Sequence, residues 1–324
     1  MPTTFDDVCA AAVRLRDRVH HTPVLTSPLL DEWLGFHAFL KAEHLQRSGS
    51  FKLRGATNAV MTIGDDLATR GVAAHSSGNH AAALALAARD RGIVAHVVMP
   101  ADAPAAKRAA VDGYGARVVE CEPTIAAREN ALRRVLEETG AVEVHPYDDD
   151  RVIAGAGTAA LELLEAVPGL DVVIVPVGGG GLLAGTSIAA HGFDPAVRVI
   201  AGEPAGADDA ARLLAVGRLI PSTAPDTIAD GLLTSLSPRT FDVIRKHVER
   251  IVPVGDAETI SAMRVLWERM KQVIEPSSAV AVAGARLAGL DGLRVGIVLS
   301  GGNCDPRQVP WALDHPRRAA PDLS

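Results

Sequence analysis

The sequence of 324 residues contains little cysteine and no excess of basic residues. Its three cysteines, Cys9, Cys121 and Cys304, are odd in number and far apart, which suits free thiols in a reducing cytosol better than a disulfide framework. The 32 lysines and arginines face 39 aspartates and glutamates, so the net charge is −7. This balance argues against nucleic acid or an anionic membrane as the main partner and indicates a small-molecule ligand.

The sequence also has neither a signal-peptide pattern nor an unbroken apolar segment of membrane-spanning length. Asp6 and Asp7 stand where a signal peptide needs positive charge. The charge-free apolar stretch at 172–190 contains Pro176 and the four glycines 178–181, which divide it into a short strand and a helix start. We therefore expect a cytoplasmic protein that does not bind a membrane.

Runs rich in β-branched residues alternate with alanine- and leucine-rich stretches of helical length. The runs lie at residues 72–75, 93–99, 116–121, 172–177, 197–203 and 293–300. This alternation is typical of α/β proteins, in which helices cover both faces of a mostly parallel sheet. Because the runs fall into two groups, we predict two open, twisted αβα domains. A small domain of residues 67–148 is inserted into a large domain formed by residues 1–66 and 149–324.

Three of the predicted strands end in loops of glycine and small polar residues. These loops are HSSGNH at 75–80, PVGGGG at 176–181 and LSGGN at 299–303. Ligands of open α/β sheets bind beyond the carboxyl ends of the strands, so these loops are candidate site segments. The glycine run can bring main-chain N–H groups to a phosphate at the start of a helix, although a tight turn explains it equally well. Leu182 and Leu183 follow the run and exclude a P-loop.

Lys52 lies upstream, in the segment KAEHLQRSGSFKLRGA at 41–56. It stands at a predicted helix start and is flanked by Phe51 and by the small polar residues 48–50. Most isolated lysines are solvated surface residues. In a chain that also has a phosphate cradle, however, this lysine indicates a Schiff-base lysine for a cofactor that bears both an aldehyde and a phosphate.

Together these motifs resemble the fold-type II pyridoxal-phosphate (PLP) enzymes, in the serine/threonine dehydratase and serine racemase branch. The matching segments follow the family's order over nearly the whole chain: SGSFKLRGA (48–56), SSGNH (76–80), GGGG (178–181), DTIADG (226–231), EPSSA (275–279) and SGGN (300–303). The resemblance implies the fold of this group, with PLP held between the two domains, and a homodimer.

The resemblance also implies roles for the cofactor-binding residues. Lys52, next to Phe51, would hold the cofactor covalently and, once released, remove the α-proton of the substrate. Asn79 would bond the ring hydroxyl, and Ser300 would face the pyridine nitrogen. A serine at that position leaves the nitrogen unprotonated, which favours prompt β-elimination. The phosphate would be bound by Gly178, Gly179, Gly180 and Gly181.

The SSGNH motif supplies the residues implied for the substrate. Ser76, Asn79 and His80 would bind its carboxylate with hydroxyl, amide and helix-N-terminal donors. Ser77 is the informative position, because dehydratases of the family often have alanine there. Racemases and some hydroxyaspartate dehydratases have a serine, which can return a proton on the face of Cα opposite the lysine.

These roles predict a PLP-dependent ammonia-lyase, a dehydratase that converts L-threonine, L-serine or a related β-hydroxy amino acid to a 2-oxo acid and ammonia. The alternative among enzymes is a serine racemase that uses Lys52 and Ser77 as bases on the two faces of Cα. A catalytically silent small-molecule-binding protein on the same fold is the alternative from another class.

The segment GEPAGADD at 202–209 is acidic, and most acidic loops are solvated surfaces. The resemblance nevertheless implies a cation site, because metal-activated relatives have ligands at the positions of Glu203, the Ala207 carbonyl and Asp209. Carboxylate and carbonyl oxygens suit a hard cation, here Mg²⁺, Mn²⁺ or Ca²⁺.

Overall fold

The structure, a computed structural model, describes residues 2–311 apart from 77, 102, 104, 219–221 and 223. The helices are α1 Phe5–Leu15, α2 Pro28–Leu34, α3 Lys52–Thr62, α4 Asp65–Ala68, α5 Asn79–Arg91, α6 Ala105–Gly113, α7 Ile125–Thr139, α8 Asp150–Ala166, α9 Gly181–Phe193, α10 Asp209–Val216, α11 Pro238–His247, α12 Asp256–Met270 and α13 Pro276–Leu287. The strands are β1 Val24–Leu25, β2 His37–Lys41, β3 Val72–His75, β4 Ala95–Pro100, β5 Arg117–Cys121, β6 Val142–Glu143, β7 Val172–Pro176, β8 Arg198–Pro204, β9 Arg250–Val254 and β10 Arg294–Val298.

The strands form two sheets. The larger sheet has the order β1-β2-β10-β7-β8-β9, and the smaller one has the order β5-β4-β3-β6. All neighbouring strands are parallel except β1 and β2, which are antiparallel. The α/β fold class predicted from the sequence is therefore confirmed, and each of the six predicted strand runs contains a strand.

Apolar side chains cover both faces of the larger sheet. On one face, Val172 and Ile174 of β7 pack in a cluster with Val280 of α13. On the other face, Val173 and Val175 pack in a cluster with Leu183 of α9. The alternation follows from the two-residue period of a strand, and burial on both faces explains the continuous apolar run in β7.

Buried ion pairs fix the start of α3. The fully buried guanidinium of Arg54 donates to Glu43 Oε2 at 2.7 Å and to Glu162 Oε1 of α8 at 2.6 Å. Lys41, at the end of β2, donates to Glu162 Oε2 at 2.6 Å. Because every buried charge in this network has an opposite partner, the network fixes the first turn of α3 against β2 and α8. That turn begins with Lys52.

The smaller sheet takes its four strands from residues 72–143, within the predicted insert 67–148. Its apolar cluster also includes Leu53 and Val60 of α3, which packs beside Val72 and Leu84. Helix α3 thus packs against α5, which follows the first strand of the smaller sheet, as well as against α8. The domain boundaries after residues 66 and 148 stay a prediction.

Two further observations concern the cysteines and the helix lengths. Cys9, Cys121 and Cys304 form no disulfide. Within the described part of the chain, no helix combines the length and the apolarity needed to cross a lipid bilayer.

Candidate active site

The loop before α3 is joined to the loop after β10 through their backbones. The N–H of Phe51 donates to the Ser300 carbonyl oxygen at 2.9 Å, and Ser50 forms an antiparallel bridge with Gly301. Ser300 is buried. These contacts bring together Lys52 and Ser300, two predicted site residues that lie at opposite ends of the sequence.

Lys52 is the first residue of α3, and its amine faces the segment that leaves the smaller sheet. Nζ donates to the Pro146 carbonyl oxygen at 2.9 Å and lies 5.1 Å from the centroid of the Phe51 ring. Burial lowers the pKa of Lys52 to about 8, although the negative charge of Glu275 opposes this change. A lysine with a lowered pKa is more often neutral, and the neutral amine is the form that attacks an aldehyde or accepts a proton.

The four glycines form the turn between β7 and α9. Gly180 has φ +84°, the left-handed region that favours glycine, and α9 begins at Gly181. A Cβ at Gly179 would lie 2.3 Å from Cδ1 of Tyr147, so a side chain there would displace the ring. The turn therefore presents main-chain N–H groups at the positive end of a helix, where an anion binds.

These residues fit PLP. Lys52 supplies an amine for its aldehyde, and the turn at 178–181 supplies main-chain N–H groups for its phosphate. A Cβ on any of these four glycines would collide with Leu232, Tyr147 or Leu236. Phe51 and Ser300, which the sequence also assigned to the cofactor, are joined by a backbone hydrogen bond next to Lys52.

Asn79, the first residue of α5, contacts two residues of the larger sheet's loops. Its Nδ2 donates to Oε1 of Glu275 at 2.8 Å, and its Oδ1 accepts from Nδ2 of Asn303 at 2.9 Å. Glu275 is buried, and this burial, reinforced by the charge of Asp230, raises its pKa to about 7. Both polar atoms of the Asn79 amide, which the sequence predicted to bind the cofactor ring, are thus hydrogen-bonded.

The SSGNH motif is only partly arranged as the sequence predicted. Ser76 directly follows β3, and its Oγ accepts from the Gly78 N–H at 3.3 Å. The imidazole of His80 is buried, and Nε2 lies 2.8 Å from the Val144 carbonyl oxygen. Burial lowers the pKa of His80 to about 3, so the ring is neutral. Because the ring faces the core, carboxylate binding by His80 is left to its main-chain N–H at the start of α5. Ser77 lies outside the described residues.

Both carboxylates of the predicted cation site are buried. Glu203 is the penultimate residue of β8, and its two oxygens accept from the N–H groups of Ala210 and Ala211 at 2.8 and 2.7 Å. Burial raises the pKa of Glu203 to about 8, and it also raises the pKa of Asp209. Oδ2 of Asp209 is buried without a hydrogen-bond partner, and Ala207 precedes α10 in a short 3-10 turn.

These oxygens fit a cation only with further ligands. The residues that the structure describes contain no group of three or more His, Cys, Asp or Glu side chains suited to a metal. A cation here would therefore use Glu203, Asp209, the Ala207 carbonyl and water.

Sequence reasoning missed four residues that shape the site. Tyr147 covers the glycine turn, and Pro146 accepts the Lys52 hydrogen bond. Glu275 and Asn303 hold the Asn79 amide. The last two stand in the EPSSA and SGGN motifs, so the signal was present although no role was assigned.

Known proteins are similar to this chain over most of its length. The family model described as pyridoxal-phosphate dependent enzyme matches residues 15–301. A beta-hydroxyaspartate dehydratase of Paracoccus denitrificans is 46% identical, over 95% of this chain and 98% of the relative.

Two solved structures have the same fold. The serine racemase of Dictyostelium discoideum has a TM-score of 0.90 and 44% identity, over 94% of this chain and 99% of its own. The threonine deaminase of T.th. has a TM-score of 0.89 and 44% identity, over 93% of this chain and 99% of its own. The chain therefore belongs to the family of pyridoxal-phosphate dependent enzymes, with the fold-type II architecture that its motifs predict.

Proposed function

We propose that this chain is a PLP-dependent ammonia-lyase that removes water from a β-hydroxy amino acid to give a 2-oxo acid and ammonia. The observation that carries this proposal is that one short segment joins the Lys52 amine to the glycine turn suited to a phosphate: Lys52 Nζ donates to the Pro146 carbonyl oxygen, and the adjacent Tyr147 packs against Gly179. The similarity to a dehydratase and to a threonine deaminase supports elimination as the outcome.

The substrate is L-serine, L-threonine or 3-hydroxyaspartate. The last is the first to test, because the 46% identical relative is named for it. The shape and charge of the pocket decide whether the substrate has a hydrogen, a methyl group or a carboxylate on Cβ. One methyl group changes the discrimination between two substrates by only about 1–3 kcal/mol.

Some of these residues would bind the cofactor and the substrate, and Lys52 would transfer the proton. PLP, when bound, supplies the aldehyde that joins the amine and the ring that withdraws electrons from Cα. The glycine turn holds the phosphate, and the Asn79 amide orients the ring. Ser76 and the main-chain N–H groups at the start of α5 hold the substrate carboxylate. Lys52 Nζ would take the proton from Cα and deliver it to the β-hydroxyl, which leaves Cβ as water; the released enamine then takes up one water to give 2-oxo acid and ammonia.

The proposal is tested by measuring 2-oxo acid and ammonia from L-serine, L-threonine and the 3-hydroxyaspartate isomers. The PLP-loaded wild type should turn over at least one of them, and Lys52→Ala should lose turnover and the visible absorption of bound PLP while keeping its fold. Lys246→Ala, which changes an exposed lysine of α11, is the matched control. Elimination by Lys52→Ala near the wild-type rate, or no product from any substrate, would overturn the proposal.

Racemisation of serine is the second candidate activity. It is supported by the 44% identity to a serine racemase and by a serine at position 77. Elimination and racemisation both begin with removal of the α-proton, so one site can perform both reactions.

We also propose that Mg²⁺, Mn²⁺ or Ca²⁺ binds at Glu203, the Ala207 carbonyl and Asp209. Support comes from the unpartnered Oδ2 of Asp209 and from the burial of both carboxylates, which raises their pKa values despite the hydrogen bonds that they accept. A bound cation would favour their ionised forms and order the turn between β8 and α10.

A further inference from the structure

The amide of Asn79 bridges the two sheets. Asn79 starts the helix that follows β3 of the smaller sheet. Glu275 precedes α13, and Asn303 follows β10 of the larger sheet. The hydrogen bonds from Asn79 to these two residues span 196 and 224 positions of sequence. The two hydrogen bonds of the Asn79 amide therefore link the smaller sheet to the larger one.

The hydrogen bonds fix which way round the amide lies. Nδ2 of Asn303 donates to the Ser48 carbonyl oxygen at 2.8 Å and to Asn79 Oδ1 at 2.9 Å. A carbonyl oxygen can only accept, so the Asn303 nitrogen must face this side. An ionised Glu275 also only accepts, which requires the Asn79 nitrogen to face it. An acceptor at each end of this chain thus sets the polarity of both amides.

One hydrogen of Asn79 Nδ2 is donated to Glu275, and an NH₂ group has a second hydrogen to donate. We propose that Glu275 and Asn303 are positioning residues that keep this second hydrogen available to the ring oxygen of PLP. This role rests on the proposed function, because it uses Asn79 as the residue that binds the ring. With the amide reversed, a carbonyl oxygen would take the place of the nitrogen and would repel the ring oxygen.

Glu275 is a poor choice for stability alone. Burial of its carboxylate, with the charge of Asp230, disfavours ionisation and raises its pKa to about 7, while the Asn79 and Asn303 hydrogen bonds oppose this. The groups that interact electrostatically with Glu275 lie on four segments: Asp230 before α11, Lys107 on α6, Lys52 on α3 and Cys304 after β10.

The direction of the pH effect follows from the raised pKa. A carboxyl group whose pKa is raised by folding contributes its full stability at a pH below the pKa of the unfolded state, here 4.5. This contribution is lost as the pH rises through the pKa of the folded state, about 7. At pH 8 a neutral glutamine should therefore suit the fold better than Glu275. It should suit PLP less well, because a glutamine can accept or donate, so only the Asn303 hydrogen bond would still constrain the orientation of Asn79.

The test compares wild type with Glu275→Gln, and it measures PLP affinity by titration of the apoprotein alongside the melting temperature of the PLP-free protein. At pH 8 we expect PLP to bind about tenfold more weakly to Glu275→Gln, the effect of one lost hydrogen bond of about 1.4 kcal/mol. The same variant should melt at a higher temperature than the wild type. The affinity ratio of wild type to variant should approach one at pH 6, where Glu275 is protonated. Loss of the Glu275 charge at pH 8 would leave Lys52 more often neutral, which favours attack on the aldehyde, so an effect through Lys52 would oppose the expected loss of affinity.

Two further variants sharpen the test. Glu138→Gln removes a charge from an exposed position of α7 and should change neither quantity. Asn303→Asp, on an exposed side chain, replaces the donor to Asn79 Oδ1 with an acceptor and should weaken PLP binding.

Unchanged PLP affinity in both Glu275→Gln and Asn303→Asp would overturn the positioning role. A joint loss of affinity and melting temperature in Glu275→Gln would overturn it as well, because Glu275 would then be merely structural. These readouts need no turnover, so a failure of the proposed elimination activity would be seen separately in the product assay.

Discussion

A methyl group at Gly179 should weaken PLP binding through a collision with Tyr147. The added Cβ would lie 2.3, 2.4 and 2.5 Å from three ring atoms, whereas carbon atoms in contact prefer about 3.5–4.0 Å. Either the ring or the glycine turn must therefore move by about 1 Å. The ring is not free to do so, because it packs edge-on against His145 with centroids 4.7 Å apart.

Overpacking of this kind costs about 1–3 kcal/mol. For 324 residues the unfolding entropy is about 0.7 kcal/mol/K, so the melting temperature should fall by about 1.5–4.5 °C if the ring yields. If the turn yields, its N–H groups leave the phosphate, and the same energy weakens PLP binding by about 5- to 150-fold. We expect mainly the second result, since Tyr147 packs edge-on against His145.

The assay is a PLP titration and a thermal melt of Gly179→Ala, with Gly113→Ala as control. A Cβ at Gly113, the last residue of α6, meets nothing within 4 Å, so this variant should behave as wild type. Tyr147→Ala in the Gly179→Ala background should restore PLP affinity, because it removes the collision partner. If Gly179→Ala binds PLP within about twofold of wild type, or if Tyr147→Ala rescues nothing, the collision is not the cause and the reasoning fails.

Three further predictions concern the second reaction, the cation and the contact between the sheets. Ser77→Ala should suppress formation of D-serine from L-serine while dehydration continues; equal loss of both, measured by chiral product analysis, would mean that Ser77 orients the substrate. EDTA should lower the melting temperature and activity, Mg²⁺ or Mn²⁺ should restore both, and Asp209→Ala should mimic EDTA without changing the visible spectrum; a melt unaffected by EDTA argues for a solvated acidic turn. Lys107 of α6 pairs with the half-exposed Asp230, a contact worth about 0.2–1 kcal/mol. Lys107→Ala should therefore raise KM up to about fivefold with kcat unchanged, and a difference that persists in 1 M salt would exclude this ion pair as the cause.

The strands that could be predicted are those whose composition reflects burial on both faces. The run at β7 is apolar throughout and was found, whereas β2 ends in Lys41 and was missed. Lys41 is fully buried because it pairs with Glu162, 121 residues away, and no local pattern reveals such a partner. The edge strand β9 contains Pro253, which lowers its strand propensity, and β1 and β6 have only two residues each.

The sequence predicted which loops form the site, but it predicted fewer of the contacts between their side chains. The motifs identified Lys52, Asn79 and the glycine turn because each needs a particular residue type at a strand end or helix start. The direction of the His80 ring depends on the Val144 carbonyl of another segment, so the sequence could not reveal it. The homodimer and the cytoplasmic location stay predictions.

Three buried glutamates differ in how far the protein compensates for the burial of their charge. Burial opposes ionisation of Glu43, but the charge and hydrogen bonds of Arg54 outweigh it and hold the pKa of Glu43 below its usual range. Glu43 thus stabilises the protein at neutral pH, and this stability is lost as the pH falls through its lowered pKa. Burial instead raises the pKa of Glu203 to about 8 and that of Glu275 to about 7.

Neither Glu203 nor Glu275 has a cation that outweighs its burial, so their ionised forms reduce stability at pH 8. Carboxylates left in this state are typical of functional sites, where a ligand supplies the missing compensation. For Glu203 that ligand would be a cation, and for Glu275 the gain would be the orientation of Asn79. Glu203→Gln and Glu275→Gln should therefore each stabilise the metal-free, PLP-free protein at pH 8, whereas Glu43→Gln should destabilise it because Arg54 would lose its buried partner.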